Sequence, residues 1–142
     1  MKRLALIASL PLMLAATCAA SAGDISGVWL TSDGDAHVRI APCGANMCGN
    51  LVWTQPPKPG EATTDVNNPD PSKRSHPLLG LTVAVDFRPS ASDPNKFDGQ
   101  FYNPDNGKMY KGSISSSGPD TLRVEGCLLI FCRTQTWTRV KR

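Results

Sequence analysis

"HVRIAPCGANMCGNLVW", residues 37–53, decides how the chain is to be folded. Val38 and Ile40 alternate with His37 and Arg39, so an extended backbone puts the aliphatic pair on one face and the polar pair on the other. Gly44 and Asn46 then allow a tight reversal, after which Leu51-Val52-Trp53 runs back as a second strand. The stretch reads as a β-hairpin with one buried face.

The same pattern continues in both directions. Short alternating runs predict strands at about 25–32, 36–42, 49–54, 80–88, 97–103, 108–116, 121–130 and 132–140, with no helical period longer than a turn. Asp33-Gly34, Asp105-Asn106-Gly107 and Ser117-Gly118-Pro119-Asp120 punctuate them as hairpin turns. In the fourth strand Val83, Val85 and Phe87 are expected to face inward, with Ala84 and Asp86 outward. Strands in hairpin order with a single buried face leave two open edges in a flat sheet, and closure removes both. The expectation is therefore an all-β chain forming a single eight-stranded antiparallel up-and-down β-barrel, with a two-sheet sandwich as the second choice.

The front end sets the compartment. Lys2-Arg3 precedes the apolar run "LALIASLPLMLAA", which is too short to span a bilayer, and small residues follow at Ala20 and Ala22. Residues 1–22 read as a signal peptide cut after Ala22, leaving residues 23–142 as one exported domain. Lipidation at Cys18 is the rival, disfavoured by Ala15-Ala16-Thr17 in front of it. Lys2 and Arg3 leave with the leader, so the mature charge is close to zero, which argues against a nucleic-acid partner.

Export also decides the cysteines. Cys43, Cys48, Cys127 and Cys132 form two C-x4-C pairs, superficially a four-thiolate zinc set. Outside the cytoplasm an even cysteine count reads as disulfides, and neither pair has the C-x-x-C helix setting of a redox centre. Local bridges Cys43–Cys48 and Cys127–Cys132 are expected, each at a hairpin turn, and no metal.

Residues 55–77, "QPPKPGEATTDVNNPDPSKRSHP", hold six of the chain's 12 prolines and hardly a large apolar side chain. A loop this long in a compact domain is a lid, a binding loop or a flexible connection. Asp65, Asn67, Asn68 and Asp70 within it offer oxygen ligands without the glycine and distant glutamate of a calcium loop, so Asx turns are the better reading.

The stretches "SGVWLTSDGDAHVRIAPCGANMCGNLVW", "TDVNNPDPSKRSHPLLGL", "FDGQFYNPDNGKMYKGSI" and "CRTQTWTRV" together resemble the bacterial secreted family designated domain of unknown function 2147. The resemblance covers nearly the whole mature chain and implies a periplasmic or secreted, lipocalin-like barrel of a Gram-negative bacterium, with no enzymatic activity attached. Gly27-Val28-Trp29 is similar to the G-x-W signature of lipocalins, and Arg139 stands where a lipocalin basic residue packs across that tryptophan. That similarity implies an indole plugging one barrel end under a guanidinium.

Catalytic signatures do not assemble. His37 falls on the outward face and His76 in the long loop, and no nucleophile elbow, zinc-protease helix or phosphate loop is present. The expected function is binding of a small apolar or amphipathic molecule without enzymatic activity or cofactor, entered beneath the 55–77 loop. Arg74 and His76 would meet an anionic head group, and Val83, Val85 and Phe87 the apolar part. The alternative is a barrel filled by its own side chains, serving as a protein-interaction or structural module of the envelope.

Overall fold

The computed structural model describes residues 23–141, so the expected signal peptide lies outside the described residues. Eight strands form: β1 (Gly27–Leu30), β2 (Ala36–Cys43), β3 (Asn46–Thr54), β4 (Thr82–Pro89), β5 (Lys96–Asn103), β6 (Lys108–Gly118), β7 (Thr121–Leu128) and β8 (Phe131–Arg139). Each pairs antiparallel with the next, and β8 returns to β1, closing an up-and-down barrel. The 37–53 hairpin pairs Val38 with Leu51 and Ile40 with Gly49. Cys43 and Cys48 lie at disulfide-bonding distance across its turn, as do Cys127 and Cys132 between β7 and β8.

Trp29, Val38, Ile40, Phe87, Ile114 and Leu122 form the heart of the core, each at most 2% exposed. Two glycines make room for the largest of them. A side chain at Gly99 would meet the Phe87 ring, and one at Gly112 would meet both Phe101 and Phe87. The rings of Phe87 and Phe101 lie 4.9 Å apart, and Phe101 and Trp137 6.1 Å apart, in tilted contacts that fill the middle of the barrel.

The alternation expected in β4 does not hold along its length. Asp86 takes a positive φ of 51°, and the register with β5 slips between Val85 and Arg88. Across this bulge Val83, Ala84 and Phe87 are buried and Val85 is not. Val85 instead lines a cleft with Asp86, Arg88, Asp98 and Lys111. An extra residue in one strand flips every side chain beyond it, which alternation alone does not reveal.

Residues 55–81 are irregular apart from a short 3-10 turn at Pro71–Lys73. They are strapped to the barrel rather than loose. The Tyr102 hydroxyl on β5 donates to Asp65 at 2.7 Å, and Asn67 Nδ2 donates to the carbonyls of Pro104 and Asp105 in the β5–β6 turn, both at 3.0 Å. Gly107 in that turn has a φ of 69° and lies so close to the Asn67 carbonyl that no side chain fits there. Asn68 bonds Asp65, and Asp70 caps Ser72, so the polar run is spent on turns and anchors.

Candidate functional site at the barrel mouth

The two ends of the barrel differ in kind. At one end Gly27, Trp29 and Arg139 interlock. Arg139 lies 4.3 Å over the Trp29 ring, its Nη1 donates to the Ser26 carbonyl at 3.1 Å, and its Nε donates to the Pro119 carbonyl at 3.0 Å. The indole Nε1–H donates to the Ile25 carbonyl at 3.0 Å, so the plug is satisfied in its polar atoms as well as packed. A Cβ on Gly27, whose φ is 135°, would run into Arg139 Nη1. The residues that carry the G-x-W similarity therefore close this end.

The other end collects the turns β1–β2, β5–β6 and β7–β8 and the long strap. Burial falls toward it along the inner face of the β6–β8 wall. On β8 the two-residue steps run from Trp137, 6% exposed, through half-buried Gln135 and exposed Arg133 to Phe131, 75% exposed. Along β7 the same steps pass from Leu122 and Val124 to half-buried Gly126, and along β6 from Ile114 through Gly112 to half-buried Tyr110. Gly112 and Gly126 are register partners, which leaves the wall thin above the aromatic stack. β1 pairs with β8 only at Trp29–Arg139 and Leu30–Thr138, so the far half of β8 has no paired strand on that side among the described residues.

This less buried end is the barrel mouth. Phe101 and Trp137 form its floor, and Tyr110, Arg133 and Gln135 stand on the register positions around it. Gln135 Oε1 accepts from Trp137 Nε1 at 3.3 Å, and the Tyr110 hydroxyl accepts from Asn106 Nδ2 at 2.8 Å. An aromatic floor with an amide, a phenol and a guanidinium around it suits an apolar body with a polar or anionic end.

The expected ligand residues are dispersed. Phe87 and Val83 belong to the packed core, and Val85 lies in the β4–β5 cleft. Arg74 and His76 are exposed on the strap, where Arg74 Nε braces the Asn68 carbonyl at 2.8 Å and the His76 carbonyl accepts from the Asp65 amide at 2.9 Å. His37 stacks on its register partner Trp53, with ring centroids 4.5 Å apart. Tyr110, Arg133 and Gln135 were missed by the sequence reading. Their signal was the glycines Gly112 and Gly126 in strand interiors, which mark a place where something bulky approaches.

Residues 27–139 match the family described as an uncharacterized protein conserved in bacteria (DUF2147). The chain belongs to that family. No curated protein matches the chain. Among solved structures it is similar to protein HP1028 of Helicobacter pylori, described as belonging to the lipocalin family, at 17% identity with a TM-score of 0.70, over 83% of this chain and 84% of that one. The shared property is the lipocalin-like barrel. Among the described residues no helix is long and apolar enough to cross a membrane.

Proposed function

We propose that this family member is a non-enzymatic binding module of the bacterial envelope that holds one small amphipathic molecule at the barrel mouth. The observation that supports it is the graded inner face of β8, from buried Trp137 to exposed Arg133, beside the Gly112–Gly126 thinning of the wall. The apolar portion of the ligand lies against Phe101 and Trp137, and its polar end meets Arg133, Gln135 and Tyr110. Arg74 and His76 on the strap act as outer contacts for a negatively charged head group. The packed stack beneath excludes a deep ligand, so the site is shallow and micromolar affinity is expected; burying about eight methylenes supplies roughly 6 kcal/mol before ordering costs.

Titration with short-chain fatty acids and related amphiphiles, kept below their micelle concentration and followed by calorimetry and tryptophan emission, tests this. Saturable binding that weakens on Arg133→Ala and Gln135→Ala is expected. Absence of saturable binding across the panel favours the second reading, a structural or protein-interaction module. That reading draws on the side-chain-filled interior formed by Phe87, Phe101 and Trp137.

A further inference from the structure

The β7–β8 turn breaks the rules that turns ordinarily follow. Its central residues are Leu129 and Ile130, 90% and 88% exposed, followed by Phe131 at 75%. Leu129 holds a φ of 57°, a conformation that a branched apolar side chain enters only at a cost and that glycine or asparagine ordinarily fills. Local preference and solvation both oppose an aliphatic tip, and the fold keeps one. Cys127 and Cys132, at bonding distance across the base, hold the tip in this presented form.

The surroundings point to what it meets. Every large hydrophobic side chain that is exposed among the described residues lies toward the same barrel end: besides the tip these are Trp53, Val66, Leu79, Met109 and Leu128. Among the described residues the opposite end, closed by Trp29 and Arg139, has none. Behind the tip, Lys108, Lys111 and Arg133 are exposed, and Lys111 is the register partner of Cys127. Acids stand near these cations too: Glu125 is half-buried and bonded by the Thr134 hydroxyl at 3.2 Å, Asp86 and Asp98 share the β4–β5 cleft with Lys111, and Asp105 is exposed in the β5–β6 turn, whereas the strands that carry the tip itself have only Glu125. A convex aliphatic tip behind which cations gather matches the depth profile of an anionic lipid surface, with acyl chains beneath phosphate.

We propose that this end of the barrel docks on anionic bilayers, with Leu129, Ile130 and Phe131 entering the acyl boundary and Lys108, Lys111 and Arg133 meeting the phosphates. Docking in this pose turns the mouth toward the lipid.

Flotation with vesicles tests the proposal without any soluble ligand, so its outcome is separate from that of the amphiphile titration. The comparison variant carries Leu129→Gly with Ile130→Ser. Glycine suits the positive φ, so this variant keeps its fold, which circular dichroism and a melting curve check. The intact protein is expected to float with mixed phosphatidylcholine–phosphatidylglycerol vesicles at least about tenfold more than the variant, and less in high salt. Equal flotation of the two proteins, or none of either, overturns the proposal. So does equal binding to pure phosphatidylcholine, which removes the role of the cations. A dimer that the variant loses, without vesicle binding, overturns it in favour of a second copy covering the tip.

Discussion

Asp65, 1% exposed, accepts the Tyr102 hydroxyl at 2.7 Å across a separation of 37 residues, and this pair fixes the strap to the barrel wall. Asn68 Nδ2 reaches the other carboxylate oxygen at 2.7 Å, so both oxygens of the buried acid are paired. A buried carboxylate in this position is tolerable only because it is so bonded.

Tyr102→Phe removes one of those bonds and leaves Asp65 Oδ1 without its donor. A hydrogen bond to a charged group is worth about 1.5–3 kcal/mol, so the variant should lose about 2 kcal/mol in denaturant unfolding. Limited proteolysis should cut within residues 55–77 sooner than in the parent. Unchanged cleavage would mean that the Asn67 contacts to the β5–β6 turn hold the strap by themselves.

The same pair sets an alkaline limit. Burial first, then the hydrogen bond and charge of Asp65, push the Tyr102 phenol up to about 12. The folded state thus keeps a proton that the unfolded chain releases near pH 10. Stability from this group is complete below about pH 10 and is lost as pH rises toward about 12, since the unfolded state then binds fewer protons. The unfolding midpoint should fall across that window in the parent, and Tyr102→Phe should flatten that part of the profile.

At the closed end, Gly27→Ala introduces a Cβ that collides with Arg139 Nη1 and sits at a φ of 135°. Arg139→Ala removes the cation over Trp29 and the bonds to Ser26 and Pro119, at a cost of about 1–3 kcal/mol. Because the first change acts partly through the second side chain, the double variant should be less destabilised than the sum of the single ones. Additive melting shifts would show that backbone strain at Gly27, rather than the guanidinium, sets the cost. In a Trp53→Phe, Trp137→Phe background, Arg139→Ala should also move Trp29 emission to the red.

The barrel was legible because its signals are local and repeated. Period-two runs such as Val38 and Ile40, with breakers such as Asp105-Asn106-Gly107, specify hairpins one at a time, and closure follows from edges that have to be paired. The cysteine pairs were legible for the same reason, each spanning one turn. The inward set of β4 was not, because the bulge at Asp86 depends on what β5 offers opposite it. The mouth was hidden too. Arg133 and Gln135 look like ordinary polar strand residues until the register places them above Trp137, and an anchor between Asp65 and Tyr102 leaves no pattern in the sequence.

The filled interior itself is open to test at Gly112. A Cβ there would lie 2.5 Å from two atoms of the Phe101 ring and 2.9 Å from Phe87 Cζ, with no unusual backbone angle to complicate the reading. Gly112→Ala should therefore cost about 1–3 kcal/mol through overpacking alone. Phe101→Leu removes ring volume at the point of collision and creates a small cavity by itself. In combination with Gly112→Ala the added methyl occupies part of that space, so the double variant should be more stable than the sum of the two losses predicts. The same pair bears on binding. Phe101→Leu should weaken amphiphile affinity by removing half of the floor, whereas a rise in affinity would mean that the ligand enters the core. A neutral Gly112→Ala would mean that the stack is loose and a deep pocket can open beneath the mouth.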